Sequence, residues 1–309
     1  MLAAMERRRF AVVIAALALA APAAPPAPRS VVFRAAGARW LYSAPRGPYA
    51  DLSNDPRVRA ITLGLNTHDG GYDYPVQLTR EAWGKTRFDD YGFYGRRDRI
   101  AVPNVAARGC GWQPSTGSDG HLIVLDTRTR RYYDFWRLCV DVVGCPVTCP
   151  GNTSPFSIGE IQSGSLVHSD GTPGDTAAQI SGLAGVILPG ELSAPGRLRH
   201  ALAMVASWRL MSPEVCRAVP ASHTDGAVAG APLCEGAKIR LDPAVEVAAL
   251  PASPAAKAVM LALQRYGGAI VDQSGCDACI QAYTALPGPP PDLTGIAAAT
   301  KHLWIYKSH

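Results

Sequence analysis

The strongest candidates for acid/base chemistry are a histidine and an aspartate that lie two residues apart. Asp119 and His121 stand where a loop enters an apolar segment. A histidine beside a carboxylate can act as a general base or acid, because the carboxylate fixes the tautomer of the imidazole ring. The competing interpretation is an Asp-Gly turn followed by a histidine that hydrogen-bonds a backbone carbonyl. We predict Asp119 and His121 as catalytic residues.

His200 is the second histidine with a catalytic pattern. On a regular strand it shares its face with the apolar residues Leu198, Leu202 and Met204, which is also the pattern of the edge of a core. A polar ring among apolar neighbours needs a partner, and a carboxylate at a site could be that partner. We therefore predict that His200 is catalytic and converges with Asp119 and His121.

Two glutamates are candidate acid/base carboxylates. Glu160 and Glu191 both follow turn-forming residues, and we include Glu191 among the predicted catalytic residues. Its position directly after Pro189 and Gly190 is equally typical of a plain surface cap.

A second group of residues is predicted to contact a substrate. Aromatic side chains stack on sugar rings, and His223 and Asp225 lie in one Gly-rich loop, where they are either ligands or solvated turn formers. The predicted substrate-binding residues are Trp112, Tyr133, Trp136, His223 and Asp225.

The chain lacks the motifs that mark several large enzyme classes. It has no G-x-S-x-G elbow, no H-E-x-x-H, no P-loop and no G-x-G-x-x-G between a strand and a helix. Their absence argues against the hydrolases, zincins and nucleotide-binding proteins that carry those patterns. We predict no metal and no cofactor.

The first thirty residues read as an export signal that precedes a single domain. Arginines at positions 7 to 9 precede an apolar run, Phe10–Ala20, that is too short to span a bilayer, and small residues then offer cleavage sites. We expect a signal peptide and Pro/Ala leader over 1–30 and one β-rich domain over 31–309, with an uncleaved anchor as the alternative. The predicted localisation is secreted and extracellular.

The charge and the cysteines support the same compartment. The formal charge is +5, but four positive charges lie in or beside the leader, so no nucleic-acid partner is predicted; we expect a monomer. An even number of cysteines behind a signal indicates disulfides. We predict local pairs of Cys216 with Cys234 and of Cys276 with Cys279. The alternative is a zinc site formed by Cys276 and Cys279 together with Cys145 and Cys149.

The elements that must position these residues are mostly strands. A hairpin is predicted over 121–138, with further strands near 61–65, 197–206, 238–241, 269–272 and 302–307. One helix should begin after Ser253 and stop at Gly267, and a weaker one should run from Asp175 through Val186. The predicted fold is a mostly β, two-sheet sandwich of jelly-roll or concanavalin-like type with one or two short helices.

Five segments of the chain carry a resemblance to known proteins. They are Ser118–Asp126, Tyr133–Trp136, Arg199–Leu202, Ile239–Pro243 and Leu263–Asp272. Together they resemble a group of secreted bacterial proteins, common in actinobacteria, of unassigned function. The resemblance implies a secreted single domain of β-sandwich character and supplies no catalytic residue.

The pattern as a whole favours a carbohydrate-active protein. A sandwich offers a concave sheet where aromatic side chains stack on sugars and a histidine, tyrosine or carboxylate transfers a proton. We predict a secreted protein that acts on an extracellular polysaccharide or cell-surface glycan. It would be a glycoside hydrolase with two carboxylates, or a polysaccharide lyase with a His or Tyr base and a cation that neutralises a uronate. The alternative is a non-catalytic carbohydrate- or surface-binding module.

Overall fold

The chain is described by a computed structural model. The structure describes residues 31–44, 47–66, 73–79, 86–87, 89–90, 101–102, 115, 119–139, 157–158, 160–286 and 288–307. The predicted leader over 1–30 and the predicted contact residue Trp112 lie outside the described residues.

Strands make up most of the regular structure. In chain order they are β1 (Ala50–Asp51), β2 (Thr62–Asn66), β3 (Val76–Thr79), β4 (Thr86–Arg87), β5 (Asp89–Asp90), β6 (Ala101–Val102), β7 (Leu122–Asp126), β8 (Arg131–Trp136), β9 (Ser157–Ile158), β10 (Glu160–Ser165), β11 (Leu202–Ser207), β12 (Met211–Val215), β13 (Leu233–Glu235), β14 (Lys238–Leu241), β15 (Gly268–Ser274), β16 (Cys279–Tyr283) and β17 (Leu303–Tyr306). The α-helices are α1 (Pro56–Arg59) and α2 (Pro254–Arg265), and short 3-10 helices cover Ala36–Leu41, Leu52–Asn54, Glu191–Ser193, Trp208–Leu210, Val247–Ala249 and Ile296–His302.

The largest sheet has seven strands in the order β1-β17-β14-β15-β11-β16-β2. Its central strands β11 and β15 run parallel, β16 runs antiparallel to β11, and β2 runs parallel to β16. β11 is apolar and buried at every position from Leu202 to Ala206, as expected for a strand that is covered on both faces.

A smaller sheet of four strands, in the order β10-β8-β7-β3, packs on one face of the seven-stranded sheet. Their shared core contains Ala203 and Val205 from β11 together with Ile123, Leu125 and Tyr132 from β7 and β8. Helix α2 covers the opposite face of the large sheet, where Val259 and Leu263 pack with other strand residues. The architecture is therefore three-layered, with a helix, a large sheet and a small sheet.

The predicted hairpin is confirmed as the centre of the small sheet. β7 and β8 pair antiparallel, with Leu122 opposite Phe135 and Asp126 opposite Arg131. Val124 and Leu125 point to opposite faces and are both buried. Alternation along β8 turns Tyr132, Asp134 and Trp136 to the face opposite Tyr133 and Phe135.

The mostly β expectation is confirmed, whereas the jelly-roll or concanavalin-like type is not. Those sandwiches are antiparallel, but here β11 with β15, β16 with β2 and β3 with β7 are parallel pairs. Among the described residues no helix is both long enough and apolar enough to cross a membrane.

The helix predicted after Ser253 is confirmed. The hydroxyl oxygen of Ser253 accepts a hydrogen bond from the backbone N–H of Ala256, and Pro254 occupies the first turn. Such a cap stabilises a helix by about 1 kcal/mol. Gly267 follows with a φ of 76°, a conformation that suits the end of a helix.

The second helix, predicted over 175–186, is wrong. This segment forms a loop of turns in which the N–H of Gly174 donates to the carbonyl of Gln179. A Cβ at Gly174 would lie only 1.8 Å from the backbone nitrogen of Ser181, so the chain folds tightly onto itself there. Gln179 has a φ of 60°, which an α-helix does not allow.

Both predicted disulfide pairs are present. Cys216 is bonded to Cys234 and Cys276 to Cys279. Cys276 and Cys279 are therefore not available as thiolate ligands, which removes them from the alternative zinc site. The disulfides are compatible with an extracellular protein.

Candidate functional site

A cleft of about 430 Å³ lies where the two sheets meet at the C-terminal end of β15. It is lined by Asp119, His121, Trp136, Asp175, Ala177, His223, Asp225, Asp272, Gln273 and Tyr283. β15 and β16 supply one wall, the β7–β8 hairpin and the loop before it supply another, and two long loops close the remainder. Five residues predicted from the sequence line this cleft, namely Asp119, His121, Trp136, His223 and Asp225.

A larger groove of about 560 Å³ elsewhere on the surface is a weaker candidate. Its two carboxylates serve local turns, because Asp51 accepts a hydrogen bond from the N–H of Ser53 and Asp55 pairs with Arg57. The cleft, in contrast, gathers histidines, carboxylates and a tyrosine, and we take it as the functional site.

His121 is held by a buried carboxylate at the bottom of the cleft. Its Nδ1 atom lies 3.0 Å from Oδ2 of Asp175, and the Asp175 side chain is fully buried. Its Nε2 atom lies 4.0 Å from Oδ2 of Asp119. With Nδ1 as the donor to Asp175, Nε2 is left with its lone pair, because its distance from Asp119 is too long for a hydrogen bond.

Packing fixes the plane of the His121 ring. The ring of Tyr74 stacks on it at a centroid distance of 4.0 Å and an interplanar angle of 21°. The backbone N–H of His121 donates to Oγ of Ser115 at 2.9 Å. Only 3% of His121 is exposed, so the imidazole has one orientation in which to meet a substrate.

A second buried aspartate lies behind Asp175. The carboxyl group of Asp134 contacts that of Asp175, and its Oδ2 accepts the N–H of Gly182 at 3.2 Å. Burial, then the charge of Asp175, raises the pKa of Asp134 well above its ordinary value. Asp134 therefore keeps its proton, which limits charge repulsion beside the pair formed by Asp175 and His121.

Burial also sets the protonation state of His121. Loss of water around the ring lowers the pKa of His121, and the nearby negative charge, that of Asp119 first, opposes that shift only in part. A neutral imidazole at neutral pH is the form that can accept a proton, so the cleft presents a base at Nε2.

Three carboxyl groups form an acidic cluster at the cleft. Ligand oxygens of Asp225, Glu235 and Asp272 all lie within 4.8 Å of one another. Burial and the neighbouring Asp225 carboxylate raise the pKa of Glu235 to about 10 and that of Asp272 to about 7. The oxygen-only composition of the cluster suits a hard cation.

The remaining wall residues differ in how firmly they are held. His223 has its Nδ1 atom 3.1 Å from the carbonyl oxygen of Ala177, and Tyr283 is 4% exposed. Burial, then the charge of Asp272, raises the pKa of Tyr283 well above its ordinary value, so its hydroxyl keeps its proton. Trp136 is half-buried and offers an aromatic surface at the cleft.

His200 and Glu191 do not reach the cleft. The Nε2 atom of His200 lies 3.1 Å from Oε2 of Glu191. His200 also lies before β11, which begins at Leu202. The cleft residue Asp272 pairs with Val205 of β11, and Val205 lies about 10 Å along the strand from Leu202. The predicted convergence of His200 with His121 is therefore wrong, because β11 begins later than the apolar pattern indicated.

The side chain of Glu191 is buried and stabilises a loop. It is not at the solvated surface, where the alternative interpretation of the sequence placed it. Its Oε2 accepts the N–H of Leu188 at 2.8 Å, and the residue is 6% exposed. Together with His200 it closes the loop that leads into β11.

The other predicted residues fall elsewhere. Tyr133 lies on the face of β8 opposite Trp136 and does not line the cleft. Glu160 begins β10, and its side chain is outside the described residues.

Five residues at the site were not predicted from the sequence, namely Asp134, Asp175, Glu235, Asp272 and Tyr283. The available signal was a charged residue on a buried strand: Asp134 lies on the inner face of β8, and Asp272 ends the apolar run of β15. A carboxylate in such a place needs a partner. No sequence pattern linked Asp175 to His121, because the loop that joins them is irregular.

We expect replacement of His200 with glutamine to make stability less dependent on pH. Burial alone would lower the pKa of His200, but the Glu191 hydrogen bond and charge and the Ala201 carbonyl together raise it. A raised pKa adds stability below the unfolded value of about 6.5, and that stability is lost as pH rises through the folded pKa. Thermal or urea unfolding should show a deficit of about 1 to 2 kcal/mol near pH 5.5 that shrinks near pH 8. An equal deficit at both values would contradict a protonated His200.

Comparisons with protein families, with curated proteins and with solved structures find no match for this chain.

Proposed function

We propose that the cleft is the active site of an exported enzyme that cleaves an extracellular polysaccharide by acid/base chemistry. The observation that carries the proposal is the buried chain of Asp134, Asp175 and His121, which ends with a basic Nε2 atom at the cleft. Such a chain fixes the tautomer of an imidazole and stabilises the positive charge that it acquires when it takes a proton.

Two routes of cleavage use the same base. In a β-elimination, Nε2 of His121 removes the proton next to the carboxylate of a uronic acid, the C–O bond to the leaving sugar breaks, and Tyr283 donates the proton that the departing oxygen needs. In a hydrolysis, Nε2 removes a proton from water and the water oxygen forms the new bond to the sugar carbon. The C–O bond to the leaving sugar breaks, and a second water molecule donates the proton that the departing oxygen needs. His121 and Tyr283 line the same cleft, which favours elimination as the first route to test.

Trp136 supplies the means of holding a sugar. It is half-buried and lines the cleft at the end of β8. The flat apolar face of a pyranose stacks on such a ring, and Trp and Tyr surfaces bury area at a low cost in side-chain entropy. This is also the observation that favours the second candidate function, a binding module without catalysis.

Titratable groups favour the enzyme over the binding module. The cleft holds a histidine with a lowered pKa and a buried tyrosine with a raised pKa, a combination that clusters at active sites. Export is part of the proposal, and the leader pattern of residues 1–30 and the disulfides support it. The proposed function does not depend on a jelly-roll fold, because the cleft is formed by the two stacked sheets.

The test is incubation of the protein with a panel of neutral and uronate-containing polysaccharides. We expect either new reducing ends together with ultraviolet absorbance from unsaturated products, for elimination, or reducing ends alone, for hydrolysis. Binding on a glycan array without products would favour the binding module. The absence of both binding and products over the whole panel would contradict a carbohydrate function.

A further inference from the structure

Three acidic residues cluster at the cleft that contains His121. Asp225 lies in the loop that follows Cys216, Glu235 ends β13 and Asp272 lies in β15. Their ligand oxygens lie within 4.8 Å of one another. Three elements that are far apart in the sequence thus bring carboxyl groups to one point.

Glu235 is the informative member of this acidic cluster. Its residue is 0% exposed, and its Oε2 accepts the backbone N–H of Asp225 at 3.1 Å. Its Oε1 atom is buried and, over the part of the chain that the structure describes, has no hydrogen-bond partner. A buried carboxylate oxygen without a donor is costly unless a proton or a cation satisfies it.

The described lining residues of the cleft offer no lysine or arginine side chain for that purpose. Four aspartates and two histidines line it, and neither lysine nor arginine is among its described lining residues. Asp225 and Asp272 themselves line the cleft, so the side of the cluster away from Glu235 is open to water.

We propose that Asp225, Glu235 and Asp272 bind a calcium ion at the wall of the cleft. Calcium takes six to eight oxygen ligands at about 2.4 Å, so opposite ligands stand about 4.8 Å apart, which the spacing of the three carboxyl groups accommodates. Magnesium demands shorter bonds and a regular octahedron, and zinc prefers nitrogen and sulfur ligands. The coordination positions on the open side are filled by water in the absence of a substrate.

The binding of calcium is tested by calorimetric titration of the purified full chain after chelator treatment and dialysis. We expect one saturable site, and at about 100 times the dissociation constant the melting temperature should rise by about 5 °C. Glu235→Gln should weaken binding at least tenfold and abolish the thermal shift. Asp225→Asn, a change at an exposed residue, should also weaken binding without disturbing the fold.

Asp119→Asn is the matched control, since Asp119 lines the same cleft but lies outside the acidic cluster. It should leave calcium affinity within about twofold of the parent chain. Without calcium, Glu235→Gln should melt close to the parent temperature, because an amide is similar in size and charge to the protonated carboxyl group that Glu235 carries at neutral pH. That result separates a lost ligand from a misfolded variant.

Absence of saturable calcium binding to the parent chain would overturn the proposal, as would an equal loss of affinity in all three variants. Equal loss would mean that the acidic cleft attracts cations without a built site. The readout is binding, so these outcomes leave the proposed function, which is judged by product formation, untouched.

Discussion

Replacement of His121 with asparagine should lower the turnover of a cleaved polysaccharide by about 10²-fold or more. Asparagine can still donate a hydrogen bond to Asp175, which holds Nδ1 of His121 at 3.0 Å, but it has no titratable nitrogen at the position of Nε2. The base is therefore removed while its buried partner remains satisfied. We expect the free energy of unfolding to change by only about 1 kcal/mol.

The same histidine should set the acid limb of the pH profile. Burial lowers the pKa of His121, and only the neutral ring can accept a proton. The value of kcat/KM should therefore rise with pH through a pKa below about 6.5 and should then level off. In the asparagine variant, any residual activity should lack this limb.

His200→Gln is the matched control for this experiment. Both histidines are paired with a carboxylate, His121 with Asp175 and His200 with Glu191, but His200 does not line the cleft. Its replacement should reduce stability and leave turnover per folded molecule unchanged. Loss of turnover in the His200 variant with full turnover in the His121 variant would contradict the assignment of the cleft as the active site.

Local patterns in the sequence predict the elements of this fold well. The hairpin of β7 and β8 follows from β-branched and aromatic residues on either side of a turn, and α2 follows from Ser253, Pro254 and Gly267. Each of these signals lies within about fifteen residues, the range over which side-chain spacing reports on backbone geometry.

The order of strands in the sheets is not accessible in the same way. β11 pairs with β15, which lies some sixty positions further along the chain, and β2 pairs with β16 over an even longer separation. Nothing local in those strands specifies a partner or a parallel direction. The parallel pairs that argue against a jelly roll could therefore not be predicted.

In the candidate site, too, only the residues that lie close together in the sequence could be predicted to lie close together in space. Asp119 and His121 share one loop, and Trp136 ends the hairpin that follows, so their proximity could be predicted from one element. Asp175 and Asp272 reach the cleft from a loop and from a strand of the other sheet. The loop is shaped by the close approach of Gly174 to Ser181, a tertiary contact that a pattern search reads as a weak helix.

Removal of the disulfide between Cys216 and Cys234 should have the second large effect, a loss of about 3 kcal/mol of unfolding free energy. The bond spans a sequence separation of 18 residues, and closing a loop of that length restricts the unfolded chain. Both cysteines are 0% exposed in the core beneath the large sheet, so their replacement by alanine also removes buried contacts. Urea unfolding of the Cys216→Ala, Cys234→Ala double variant measures the loss.

The double variant at Cys276 and Cys279 is the matched control, because it removes the same bond from a sequence separation of 3. The shorter loop predicts a smaller loss, about 1.5 kcal/mol. The longer loop also carries His223 and Asp225, and Glu235 directly follows Cys234. Loss of the Cys216–Cys234 bond should therefore disturb the cleft as well as stability. In this variant, turnover should fall at a lower urea concentration than the one that unfolds the chain. In the control variant, turnover and folded structure should be lost at the same urea concentration. Equal losses of stability in the two double variants would show that loop closure is not what the longer disulfide contributes.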